Sequence, residues 1–300
     1  MKMKLNINIT TMASVAVLTA GISTVQADLT HRYSFTTDVT DSVGSANGTL
    51  VGTQNGGPTV SGGQLVLNNP NFQGANPANN YLSLPVSILP SSGSVTIEQW
   101  FTFTGSGFFT EGWAFSDRNG GANPPGASSG QYFMHTISNP QGGPVPAGGG
   151  SSVAQTIAGY GGGAETRAYG TTTGIGAGGG GYLDDGGTYM SATVIDSVAG
   201  TLAYYVYRVS DGVGGLQSTI TAIPLSSYSF TEAFLGRSPF DADNATSGTI
   251  DEFRIYNDAR SASMILGDYL AGPNVLVPEP TSATLLALGG VSLLLLRRRS

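Results

Sequence analysis

Gly248-Thr249-Ile250-Asp251-Glu252-Phe253-Arg254-Ile255-Tyr256-Asn257 alternates apolar and charged residues through a β-branched and aromatic run. That period of two is the signature of a strand with two distinct faces. Asp251 and Glu252 are neighbours and therefore point to opposite faces, whereas Glu252 shares its face with Arg254 and is spaced as a structural ion pair. Just downstream, Ser261 is placed to cap a helix over 262–270, with Met264, Ile265 and Tyr269 on one face and Gly272-Pro273 to stop it. Upstream, Val95-Thr96-Ile97-Glu98-Gln99-Trp100-Phe101-Thr102-Phe103 shows the same alternation, as do 190–195 and 201–209. The residues between the last two, 196–200, have the length and composition of a hairpin connection. In Leu202-Ala203-Tyr204-Tyr205-Val206-Tyr207 both faces are apolar, which predicts a strand buried between two sheets. Shorter strands are expected at 31–35, 64–67, 81–84 and 131–137. Short strands separated by Gly, Asn and Pro turns make an all-β, two-sheet antiparallel sandwich with one short helix.

Residues 141–181 interrupt this pattern. Sixteen of the 41 are glycine, and such a segment buries little side chain against the cost of ordering its backbone. It is expected to be a long loop inserted in the sandwich. A phosphate-binding loop is excluded, because no GxxxxGK[ST] is present.

Several stretches, in order, resemble the LamG-like jelly-roll domains of the concanavalin A-like lectin/glucanase superfamily. They are His31-Arg32-Tyr33-Ser34-Phe35, Asp41-Ser42-Val43-Gly44, Asn47-Gly48-Thr49-Leu50, Val95-Thr96-Ile97-Glu98-Gln99-Trp100, Ala199-Gly200-Thr201-Leu202 and Leu235-Gly236-Arg237-Ser238. The stretch 248–257, followed by Ala259-Arg260-Ser261-Ala262, is the most specific. The likeness covers most of 29–272, and it implies a jelly roll of two antiparallel sheets over 28–272.

Both ends of the chain read as targeting segments. Lys2 and Lys4 precede the mostly apolar stretch 13–22, and Val25-Gln26-Ala27 has small residues at −3 and −1 of a signal-peptidase site, so 1–27 is expected to be a signal peptide. At the other end, a linker over 273–282 contains Pro278, Glu279 and Pro280. An apolar run over 283–296 follows, then a basic tail, 297–300, with Arg297, Arg298 and Arg299. Arginines resist crossing a bilayer and act as a membrane stop. At about 1.5 Å per residue, 281–296 spans roughly 24 Å, short of a ~30 Å hydrocarbon core, which suits a transient transmembrane helix. This order of motif, apolar segment and basic tail resembles the PEP-CTERM sorting signal of Gram-negative bacteria. The resemblance implies cleavage near Pro278-Glu279-Pro280 by an exosortase-type protease and delivery to the cell surface or extracellular matrix.

Composition narrows the function of the exported part. Residues 28–277 hold seven arginines, no lysine and eighteen acidic residues, a net charge near −11. Such a surface repels nucleic acid. The chain has no cysteine, which excludes disulfides, thiolate metal sites and cysteine nucleophiles. Its two histidines, His31 and His135, are too few for a zinc site and read as strand residues.

Three chemistries remain. Glycoside hydrolysis needs two carboxylates about 5–9 Å apart, but no E-x-D-x-E pattern is present, and Glu98 lies in a core strand. Calcium needs clustered loop oxygens, which Asp241, Asp243 and Asn244 offer in Phe240-Asp241-Ala242-Asp243-Asn244. The same residues also suit a solvated Asx turn. Asp38 and Asp41 make a second acidic turn, near the last strand if the first and last strands pair. A glycan platform needs an exposed aromatic face, and Tyr81, Trp113 and Tyr132 are its candidates. The resulting expectation is a non-catalytic module that binds extracellular polysaccharide or protein. A secreted carbohydrate-active enzyme and a structural matrix component are the alternatives.

Overall fold

The computed structural model describes residues 29–69, 78–104, 109–117, 130–138, 155–160, 164–170, 175, 183–240 and 243–277. Within them lie β1 (Leu29–Tyr33), β2 (Thr49–Val51), β3 (Thr59–Ser61), β4 (Gln64–Leu67), β5 (Tyr81–Leu84) and β6 (Val95–Thr104). Next come β7 (Thr110–Ser116), β8 (Tyr132–Ser138), β9 (Gln155–Tyr160), β10 (Ala164–Tyr169) and β11 (Asp185–Asp196). β12 (Thr201–Arg208), β13 (Gly214–Thr221), β14 (Glu232–Leu235), β15 (Gly248–Tyr256) and α1 (Ala262–Ala271) complete the set. One sheet has eight strands in the order β13-β12-β11-β6-β15-β4-β3, with β1 also paired to β15. The other has seven, ordered β10-β9-β8-β7-β14-β5-β2. Every pairing is antiparallel.

The inward faces of both sheets meet in one apolar core. Phe101, Phe103, Tyr189, Tyr204 and Phe253 come from the eight-stranded sheet; Leu82, Trp113, Phe115, Phe133 and Leu235 come from the seven-stranded one. Gly248, at φ 135°, lets β15 begin against β6. A Cβ there would lie 2.2 Å from the Thr102 carbonyl oxygen. The expected pairing of first and last strands is present, with Arg32 opposite Arg254 and Tyr33 opposite Phe253.

The second apolar face of β12 is covered by α1, not by a sheet. Leu202, Tyr204 and Val206 point into the core. Tyr205 and Tyr207 point outward with Trp100 and Met190, where Ile265 of α1 buries them. Tyr207 and Tyr269 stack at 4.5 Å between ring centroids. The helix is capped as expected, since Ser261 Oγ accepts from the Met264 amide at 3.3 Å, and Gly272 ends it at φ 81°.

Beneath the helix lies a buried ion network. The Arg254 guanidinium is 2.6 Å from Glu252, 3.9 Å from Glu98 and 3.8 Å from Asp268, and it sits 4.5 Å from the Trp100 ring centroid. Arg260 holds Asp268 of the helix at 2.5 Å. Burial first, and then the charge of Asp268, raises the Glu98 carboxyl to about 8. The pair read from sequence, Glu252 with Arg254, is thus the middle of a larger network that also takes in Arg32, at 2.6 Å from Glu252.

The glycine-rich segment differs from its expectation. It contributes β9 and β10, which extend the seven-stranded sheet beyond β8. Backbone pairing to an already formed edge replaces the side-chain burial that glycine cannot supply. The Tyr169 carbonyl accepts from Ser218 Oγ of β13 at 2.9 Å, tying this end of one sheet to the other.

His135 is a fully buried core residue whose Nε2 lies 2.8 Å from the Tyr204 hydroxyl. Burial pushes its imidazole down to about 3. The unfolded chain therefore takes up a proton near pH 6.5 that the folded chain refuses until about pH 3. The contribution of His135 is full above pH 6.5 and falls as pH drops through that window, by about 1.4 kcal/mol per pH unit at most. The buried carboxyls Glu98 and Glu111 pull the other way in both proteins, so the comparison is a difference: in urea titrations at pH 7.5 and 5, the wild type should lose more stability than His135→Gln on going to pH 5. An equal slope in both would refute the assignment.

The transmembrane helix expected over 283–296 lies outside the described residues, as do 1–28 and 278–300. Among the described residues no helix is long and apolar enough to cross a membrane.

Candidate functional site

The outward face of the eight-stranded sheet carries α1. The outward face of the seven-stranded sheet carries instead the loop between β14 and β15. Cross-strand register assembles this second face. Tyr132 is opposite Ser116, and Ser116 is opposite Glu232. One row further, Met134, Ala114, Phe234 and Ser83 are aligned, and through β9 the same row reaches Arg167 on β10. Ala114 and Met134 pack there with Tyr132 and Phe240, separately from the core between the sheets.

Two aromatic groups stand on this face. Tyr81 meets Phe234 edge-on at 5.3 Å, and the Arg237 guanidinium lies 4.8 Å from the Tyr81 centroid and 5.0 Å from that of Phe234. Tyr132 meets Phe240 edge-on at 5.2 Å. Tyr81, Tyr132, Arg237 and Phe240 are partly exposed. Aromatic rings flanked by hydrogen-bonding side chains give a surface both a flat apolar contact and directional polar contacts. Of the three aromatic candidates from sequence, Tyr81 and Tyr132 belong to this face. Trp113 does not: it is 1% exposed and packs in the core against Phe133 at 4.9 Å.

A bulge in β7 adds a group with no signal in the sequence. Glu111 pairs with Thr136 while Trp113 pairs with His135, so the register slips between them. Gly112 turns toward the core, where a Cβ would lie 2.3 Å from Gln99 Oε1 and 2.9 Å from His135 Nδ1. Glu111 is left on the outer face beside Thr136. Its carboxyl is fully buried, and neither oxygen has a hydrogen-bond partner of proper geometry. Burial first, then the charge of Asp243, pushes that carboxyl well above the usual range, against the opposing hydroxyls of Ser238 and Thr136.

The calcium residues expected from sequence are only partly placed. Asp241 lies outside the described residues. Asp243 accepts from Ser238 Oγ at 2.5 Å, and its amide donates to the Phe240 carbonyl at 3.2 Å. Asn244 is partly exposed in the same loop. Among the described residues, no three His, Cys, Asp or Glu side chains gather as a metal cluster. The other acidic turn is consumed by its own backbone. Asp41 accepts from the amides of Arg32, Val43, Gly44 and Ala46 and lies 2.6 Å from His31 Nδ1. Burial alone would raise its carboxyl, yet those bonds hold it below the ordinary value. Asp38 accepts from both the amide and the hydroxyl of Thr40, an Asx turn.

No protein-family model and no curated protein matches the chain. Solved structures do. Domain 4 of AbnA, a GH43 extracellular arabinanase from Geobacillus stearothermophilus, solved in complex with arabinotriose, is 22% identical at a TM-score of 0.51, covering 81% of this chain and 98% of that one. The CBM40 domain of the Ruminococcus gnavus IT-sialidase bound to α2,3 sialyllactose is 12% identical at 0.39, covering 59% and 82%. Trypanosoma rangeli sialidase in complex with the inhibitor DANA is 12% identical at 0.43, covering 85% and 34%. The first of these alone bears on the fold, which it supports as a sandwich of that kind.

Proposed function

We propose that this chain is an exported, non-catalytic glycan-binding domain whose ligand lies across the outer face of the seven-stranded sheet. The observation that carries the reading is the pair of partly exposed aromatic groups, Tyr81 with Phe234 and Tyr132 with Phe240, set among polar side chains on that one face. The ligand of the arabinanase domain with a similar fold agrees with it. Glu111 takes no part as an acid catalyst in this reading, because a fully buried carboxyl cannot touch a bound sugar.

The destination belongs to the same proposal. Signal peptidase removes 1–27, the apolar segment 283–296 holds the chain transiently in the inner membrane, and an exosortase-type protease acts near Pro278-Glu279-Pro280. The protein then resides at the cell surface or in the extracellular matrix of a Gram-negative bacterium.

Affinity electrophoresis of the full chain against a panel of extracellular polysaccharides tests the binding. Retardation by at least one polysaccharide is expected, and Tyr81→Ala or Tyr132→Ala should each weaken it about tenfold, some 1.4 kcal/mol. Unchanged retardation in both variants would remove the ligand from this face. Retardation by none of the panel, with concentration-dependent self-association, would favour the structural-matrix alternative.

A further inference from the structure

We propose that the β7 bulge and the loop after β14 together form a calcium site, with Glu111 and Asp243 as its charged ligands. It stands apart from the glycan reading, since Glu111 is buried beneath the face on which a sugar would rest. The expectation from sequence centred on the Asx-rich turn alone; the structure brings to that turn a carboxylate 132 positions earlier in the chain.

Four observations converge. Glu111 is fully buried and neither of its oxygens has a hydrogen-bond partner of proper geometry, with only the hydroxyls of Ser238 and Thr136 beside it, although a buried carboxyl ordinarily has well-made bonds. The hydroxyls of Thr110 and Thr136, on the same bulge and its partner strand, are also buried and unbonded. The loop is fastened over these groups: Thr246 Oγ1 donates to the Glu111 carbonyl at 2.7 Å, and the Gly236 amide donates to the Gly112 carbonyl at 3.1 Å. Ser238, which donates to Asp243, also lies beside Glu111 and joins the two carboxylates through one hydroxyl.

A single serine hydroxyl between two acidic groups neutralises neither, and a cation held by both would. The donors are all hard oxygens, two carboxylates with serine and threonine hydroxyls, and they suit calcium in preference to zinc or copper.

Thermal unfolding of the chelator-stripped full chain, in mild detergent, with calcium as the only added ligand is the test. Calcium at about 100 times its Kd should raise the midpoint by roughly 5–10 °C. Glu111→Gln and Asp243→Asn should each weaken the calcium response at least tenfold. Without calcium, Glu111→Gln should melt no lower than the wild type, because it removes an unpaired buried acid. Terbium luminescence excited through the nearby Tyr132 should appear in the wild type and vanish in both variants. If Glu111→Gln does not fold, Asp243→Asn in the half-exposed loop decides alone. Absence of any calcium shift, or an equal shift and luminescence in the folded variants, overturns the proposal. An identical response to magnesium at the same concentration overturns the choice of calcium. Loss of polysaccharide retardation with the calcium shift intact would count against the glycan reading and leave this one standing.

Discussion

Replacing Arg254 with alanine should destabilise the protein by about 3–5 kcal/mol, a large part of the 5–15 kcal/mol that holds a typical domain together. The guanidinium is fully buried and touches three acids from three places in the chain: Glu98 on β6, Glu252 on β15 and Asp268 on α1. It also donates to the Val275 carbonyl at 2.9 Å, pinning the segment after the helix. Among the described residues, its removal leaves Arg260 as the one cation beside Glu98 and Asp268, and Arg32 as the one beside Glu252. The carboxylates cannot reach water without lifting the helix. Urea unfolding followed by tryptophan fluorescence measures the loss directly, since Trp100 lies under the guanidinium. A change below about 1 kcal/mol would mean that the network contributes no more than a surface ion pair.

Trp113→Ala should cost a similar 3–5 kcal/mol, for a different reason. This ring fills the core between the sheets, 4.9 Å from Phe133 and 6.0 Å from Phe115. Truncation leaves a cavity that packed neighbours close only in part. If Trp113 were a sugar platform, the same substitution would abolish binding and spare stability. The expected result is the reverse: a lowered unfolding midpoint, with polysaccharide retardation of the folded protein unchanged. The two outcomes are read from one sample by thermal unfolding and affinity electrophoresis.

Local pattern carried much of this architecture. The strands around 95–103, 190–195, 201–209 and 249–256 were legible because β-branched and aromatic residues alternate there, and the helix because Ser261 and Gly272 mark its ends. Two features were not. The strands β9 and β10 sit in glycine-rich surroundings that conceal Gln155-Thr156-Ile157-Ala158-Gly159-Tyr160, and pairing with β8 is a non-local event. Glu111 was hidden because its orientation depends on a register slip against β8, which no periodicity within Thr110-Glu111-Gly112-Trp113 announces. For the same reason Trp113 read as a possible platform: aromatic residues on the two faces of a strand look alike until the partner strand is known. Tyr81, Tyr132 and Asp243 were named from sequence, but only the register joins them to one face.

The way the sheets end bears on crowding. A free strand margin offers unpaired amides and carbonyls on which another copy can template itself. Here β2 and β3, which close one side of each sheet, are only three residues long. At the other side β10 is bonded to β13 through Ser218 and Tyr169, so neither margin is fully open. A chain without disulfides is thereby guarded against backbone-driven fibre growth. If copies of this protein do associate, side chains are left to supply the contacts, and a change of salt would be enough to loosen them.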